Sequence, residues 1–170
     1  MTSSTTLLRP TAQPEPRSVL LSNSSHLIAH PAPTSPAQRL QLMGAILHLA
    51  VNSPLHRRYS LQDLGERILA SLRTHQFRFY TLDGNPVGFV NWAWLDEATA
   101  ERLADGSYNL NPQEWNCGPS AWIPELLAPF GHARPIVRDL RTHVFRRGTR
   151  VHAVRVRADG RSTNLAHFTA

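Results

Sequence analysis

The chain has 170 residues, 41% of them hydrophobic, which suits one modest domain with a single core. Its net charge is +6, and all 18 basic residues are arginine, a balance that favours an acidic partner such as nucleic acid, an acidic protein or a membrane surface. No apolar run approaches the ~20 residues needed to span a bilayer, no secretory pattern opens the chain, and the lone Cys117 rules out an intramolecular disulfide, so a cytoplasmic setting is expected.

Residues 1–34 are rich in Ser, Thr and Pro and show no periodicity, which predicts a flexible extension ahead of a domain at 35–170. Ser35-Pro36-Ala37-Gln38 combines an N-cap, Pro at the first helical position and Gln three residues after the cap. Leu40, Met43, Ile46, Leu47 and Val51 follow at helical spacing, which predicts an amphipathic helix over 36–51. A second helix fits 61–73, capped by Ser60 with Asp63 at the third position and burying Leu61, Leu64, Ile68 and Leu72.

Between these helices lies Ser53-Pro54-Leu55-His56-Arg57-Arg58-Tyr59. An imidazole titrates near neutral pH, so a positioned histidine is the usual proton shuttle, and His56 is the candidate among nine histidines.

Residues 77–81 and 87–94 read as strands joined through Asp83-Gly84-Asn85-Pro86, an antiparallel hairpin. A short helix over about 96–105 is expected to stop at Gly106, and 107–121 reads as loop. Within Trp122-Ile123-Pro124-Glu125-Leu126-Leu127, Glu125 is a carboxylate among apolar residues: either a partner for an imidazole or a surface acid opening a short helix. A helix over 133–146 with Ile136, Val137, Leu140 and Val144 on one side puts Arg134, Arg138 and Arg141 on the other. Residues 151–157 and 164–169 read as a last strand pair, and the whole as an α+β domain, a mainly antiparallel sheet flanked by helices.

Four segments in order resemble the RTX toxin-activating lysine acyltransferases: Ser53-Pro54-Leu55-His56-Arg57; Asn85 to Ala93 with its Trp92-Ala93 pair; Trp115, Gly118 and Trp122; and Ala128-Pro129-Phe130-Gly131. The likeness runs from about Gly44 to Arg157. It implies a fold similar to the GNAT N-acyltransferases. It also implies transfer of a fatty acyl group from the phosphopantetheine thioester of acyl carrier protein to internal lysines of an RTX protoxin, with no bound cofactor or metal. By position, His56 is the catalytic histidine that the resemblance implies. Glu125 falls where the family usually has Asp, a departure that lengthens the side chain by a methylene.

In this reading His56 is the general base and Glu125 orients its ring. Ser53, Arg57, Arg58 and Trp92 are candidate substrate- or carrier-binding residues, and Arg134, Arg138 and Arg141 a docking stripe for an acidic carrier. A core role for Trp92, Trp94 and Trp122 competes with a role in the acyl-chain wall, and a homodimer is left open. Other readings are an impaired paralogue, an acyl-CoA-dependent GNAT-like enzyme and a basic nucleic-acid-binding protein. The Arg/Gln-x-x-Gly-x-Gly/Ala diphosphate loop is missing, and so is any helix-turn-helix, zinc-ligand or RNP-type signature, so no nucleic-acid partner and no membrane insertion are expected.

Overall fold

The structure, a computed structural model, describes residues 27–105, 108–156 and 163–170. The expected features at residues 1–26, Gly106 and Arg157 lie outside these. Among the described residues, eight strands form two four-stranded sheets. The first has β1 (Leu27–His30), β2 (Phe77–Leu82), β3 (Asn85–Asn91) and β6 (Leu126–Leu127), in the order β1-β2-β3-β6. The second has β4 (Ala93–Leu95), β5 (Ser120–Ile123), β7 (Arg150–Val156) and β8 (Thr163–Thr169), in the order β4-β5-β7-β8. All pairings are antiparallel except β5 with β7. With the helices packed on these sheets, the chain is an α+β domain.

Helix α1 (Pro36–Val51) starts at Ser35 with the expected capping box: Ser35 Oγ accepts from Gln38 N, and Gln38 Oε1 accepts from Ser35 N. Its buried face shares only Ile46 with the expected one. Leu42, Ile46, Leu49 and Ala50 pack on Phe77, Phe89 and Leu127, whereas Leu40 (70% exposed), Met43, Leu47 and Val51 stay on the surface. Leu42, Ile46 and Leu49 satisfy the same helical spacing as the expected stripe, so periodicity alone does not choose between the two faces.

The second helical stretch is broken. It consists of α2 (Leu61–Leu64), a π-helical turn (Gly65–Leu69) and α3 (Ala70–Thr74). Ser60 and Asp63 cap it reciprocally, and Ile68 is buried, but Leu61 is 84% exposed. The wider π turn changes the face presented after Leu64, which a constant 3.6-residue period misses.

The hairpin between β2 and β3 turns on Asp83 and Gly84, both at positive φ (49° and 78°), the type I′ geometry that Asp-Gly favours. Strand β1, within the segment expected to be flexible, pairs with β2 along Leu27–His30. Its four residues give too short a run for alternation to reveal. Helix α4 (Glu97–Ala104), capped by Asp96, packs against the second sheet through Ala100 and Leu103. Helix α5 (Ala133–His143) ends three residues earlier than expected and lies on the first sheet opposite α1. Ile136 and Leu140 enter the core, and a Cβ at Gly88 would collide with the Ile136 side chain, so the glycine permits this close approach. Asp139 accepts from Tyr80 OH (2.8 Å) and from Arg78, fastening α5 to β2.

The two sheets share two crossings. The expected strand over 87–94 is interrupted at Trp92, with β3 in one sheet and β4 in the other. Its neighbour changes sheet in the same way between β5 and β6, at Pro124-Glu125. These crossings lie side by side: Asn91 N donates to Glu125 O at 3.1 Å.

Candidate active site

His56 opens a 3-10 turn (His56–Arg58) that follows α1. The expected connecting loop is therefore an ordered turn, and His56 is only 6% exposed. Ser53 Oγ lies 2.6 Å from His56 Nδ1, while His56 Nε2 lies 3.0 Å from Glu125 Oε2. The neutral ring that satisfies both contacts donates Nε2–H to the carboxylate and accepts the Ser53 hydroxyl proton at Nδ1.

Glu125 is 4% exposed and stands at the crossing from β5 to β6, not at the start of a helix. A carboxylate so buried needs partners, since an unpaired charge there is costly. Arg67, on the π-helical turn, donates from Nη1 to Glu125 Oε1 at 2.9 Å, and Tyr59 OH donates to the same oxygen at 3.4 Å. Burial, then the Glu125 charge, pushes the Tyr59 phenol well above its ordinary range, so it remains a donor. Burial is the largest single influence on the Arg67 guanidinium and would pull it down, but the charges of Glu125, Tyr59 and Asp63 and the hydrogen bond to Glu125 together hold the group above its usual value.

The main chain is fixed as tightly. Glu125 N donates to Asn91 Oδ1 (2.9 Å), and Asn91 Nδ2 donates to Arg67 O (2.7 Å). Asn91 is fully buried and thus joins the strand crossing to the π turn. Asn91→Ala would leave a buried N–H and a buried carbonyl unpaired. A loss of about 2–4 kcal/mol is expected, read as a Tm lower by roughly 5–15 °C in a thermal melt.

His56 and Glu125 lie in the wall of a cavity of about 390 Å³. Leu55, Leu103, Ile123, Leu126, Val137 and Phe168 give it an apolar lining. Ser53 and Trp92 are not part of that lining: Ser53 is buried against the ring, and Trp92 packs edge-on against Phe145 at 6.0 Å. Trp94 also meets Phe145 (6.2 Å), and Trp122 stacks on His152 at 4.9 Å with Nε1 donating to Ser120 Oγ.

Arg57 and Arg58 are exposed beside His56. On α5, Arg134, Arg138 and Arg141 are exposed, as the helical spacing predicts. Arg141 is already engaged, donating from Nε to Thr169 O at 2.9 Å.

Sequence reasoning missed Arg67, Tyr59 and Asn91. Tyr59 had a signal, standing three residues after His56 in the same turn. Asn91 stood within the resembling segment Asn85 to Ala93 without being singled out, and Arg67 had no signal, because its partner Glu125 is 58 residues away in the chain.

A buried imidazole held between a hydroxyl and a carboxylate, at the wall of an apolar cavity, is an arrangement suited to general-base chemistry. The comparisons with known proteins make that chemistry specific. Residues 35–169 match the RTX toxin acyltransferase family. The chain is 38% identical over 135 residues to the lysine-acyltransferase RtxC of Vibrio cholerae, covering 78% of this chain and 88% of that protein. It is 30% identical over 99 residues to the leukotoxin-activating lysine-acyltransferase LktC of a Pasteurella haemolytica-like species, covering 58% and 60% respectively. It is 27% identical over 132 residues to the RTX-I toxin-activating lysine-acyltransferase ApxIC of Actinobacillus pleuropneumoniae, covering 75% and 73%. The chain belongs to the RTX toxin acyltransferase family.

Proposed function

We propose that this protein is a protein-lysine fatty acyltransferase that moves an acyl group from acyl carrier protein to internal lysines of an RTX protoxin and so activates the toxin. The observation that carries this reading is the His56–Glu125 pair in the wall of an apolar cavity, in a chain of this family. The names of two of its relatives, toxin-activating lysine-acyltransferases, support the acceptor.

A lysine amine is protonated at neutral pH and attacks a thioester only after losing a proton. That proton is taken up by the His56 ring, which lines the cavity, and protonation at Nδ1 turns the Ser53 hydroxyl from donor to acceptor. The resulting imidazolium donates to Ser53 and to Glu125, whose charge stabilises it. As the tetrahedral intermediate collapses, the C–S bond breaks, the imidazolium returns a proton to the leaving thiolate, and the nitrogen of the new amide releases its second proton to solvent. Direct transfer is preferred to an acyl-enzyme because Ser53 lies outside the cavity lining. The enzyme would act in the cytoplasm, where acyl carrier protein resides; among the described residues no helix is long and apolar enough to cross a membrane. A GNAT-like fold is part of the same proposal, and the parallel β5–β7 pair within otherwise antiparallel sheets supports it.

Incubation with protoxin and acyl carrier protein bearing a labelled fatty acid tests the reading. Label on protoxin lysines is the expected result. Label trapped on Ser53 in quenched enzyme would replace direct transfer with an acyl-enzyme, and equal turnover with acyl-CoA would overturn the donor.

The outer face of α5 suits an acidic carrier. Its inner face contributes Val137 to the cavity, while Arg134 and Arg138 face solvent with no ion pair among the described residues. Changing both to Glu is expected to weaken carrier binding by about 10–100-fold, and wild-type affinity should fall with salt. Titration at two ionic strengths checks both. Arg141 is left in place because it braces α5 against β8.

A further inference from the structure

The Glu125 carboxylate is divided between two partners. Oε2 meets His56 at 3.0 Å and Oε1 meets Arg67 at 2.9 Å, so each oxygen is committed to a different direction. Rotation of the carboxylate would break both contacts at once. The guanidinium is held in turn: its stem rises from the π-helical turn Gly65–Leu69, and its Cζ lies over the Tyr59 ring, 5.0 Å from the ring centre.

Arg67 Nε is buried without a partner among the described residues, so this placement satisfies Glu125 at the expense of the arginine's own hydrogen bonding. Single π turns within helices occur often at functional sites, where they re-aim a side chain. Here the turn is tied to the strand crossing by Asn91, which binds Arg67 O with one end of its amide and Glu125 N with the other.

We infer that Arg67 is a positioning residue for acyl transfer: it holds the Glu125 carboxylate against the His56 ring from a π turn that Asn91 locks to the sheet crossing. The inference rests on the proposed role of His56 and Glu125 as a base pair. It makes Arg67 more than a neutraliser of a buried charge. The arginine sets the orientation of Glu125 and also limits how strongly the carboxylate favours the imidazolium.

The pH dependence of the rate separates these roles. The groups around the imidazole are Ser53 and Tyr59 from its own segment, Glu125 from the crossing, Arg67 from the π turn, and Arg155 and His167 across the cavity. Asp63 acts electrostatically on Tyr59 and Arg67. Removing the Arg67 charge leaves Glu125 to stabilise protonated His56 unopposed. The ring then stays protonated to higher pH, and the acid limb of the rate profile moves up.

Acylation rates across pH and thermal melts for wild type, Arg67→Gln, Arg67→Lys, Glu125→Gln, the Arg67→Gln/Glu125→Gln double variant and His56→Ala form the test. Arg67→Gln is expected to lower kcat about 10-fold or more and to move the acid limb upward. Arg67→Lys should restore the limb but less of the rate, because an ammonium lacks the planar fork. In the Glu125→Gln background, Arg67→Gln should cost nothing further. An unmoved limb with only a lowered Tm, or losses that multiply in the double variant, would overturn the inference. Should Arg67→Gln not fold, Arg67→Lys and the charge-balanced double variant decide by the same criteria: Arg67→Lys at the wild-type rate, or a double variant slower than Glu125→Gln, would overturn it. An active His56→Ala would instead overturn the base-pair reading; an inactive His56→Ala beside a fully active Arg67→Gln would overturn only the role of Arg67.

Discussion

His56→Ala is expected to lower lysine acylation by roughly 10²–10⁴-fold, the usual contribution of a positioned general base, which places it near the limit of an intact-mass assay. Because His56 is buried between Ser53 and Glu125, the substitution also has a structural effect. It opens a small space and removes one partner from each neighbour. Glu125 keeps Arg67 and Tyr59, however, so its charge is not left alone. The fold should survive with a Tm lower by a few degrees, and a melt beside the mass assay separates the two effects. Acylation near the wild-type rate would move the base elsewhere.

Glu125→Gln is expected to lose about 100-fold or more in turnover. The amide fills the same space, and its oxygen can accept the Nε2–H, but it carries no charge to stabilise the imidazolium. The variant also leaves Arg67 buried beside a neutral group, so some stability is lost along with activity. Glu125→Asp tests reach. In the structure both oxygens are occupied, with His56 and Arg67 on different sides, and the backbone is held by Asn91 on two hydrogen bonds. A side chain shorter by a methylene cannot keep both contacts from a backbone so fixed, and a displacement of about 1 Å at a reacting pair can cost up to ~100-fold. Asp is therefore expected to be slower than Glu here. Steady-state rates for the three proteins check this, and a Gln variant as fast as wild type would remove Glu125 from the chemistry.

The difference between the predicted and observed helices shows where local reasoning stops. The capping boxes at Ser35 and Ser60 are short-range hydrogen-bond patterns, and both form as read. The buried face of α1 depends on which side the sheet approaches, and the sheet approaches Leu42, Ile46 and Leu49. The Asp83-Gly84 hairpin was legible because its backbone geometry is a property of those two residues. The interruption at Trp92 was not, since a strand leaving one sheet for another is decided by partners 25 to 38 residues further on: β4 pairs with β5, and β3 with β6.

The sequence by itself determined the family likeness, the α+β class, the main helix starts and the candidacy of His56 and Glu125. Those properties rest on residue type, near-neighbour spacing and the order of short motifs. The resemblance implied that Glu125 meets His56, 69 residues away, but only the tertiary structure decided that the carboxylate is shared with Arg67 and anchored through Asn91. The physical reason is that a buried charge must find its partners in space. Those partners came from a π turn and two sheet crossings, neither of which has a period that a linear chain displays.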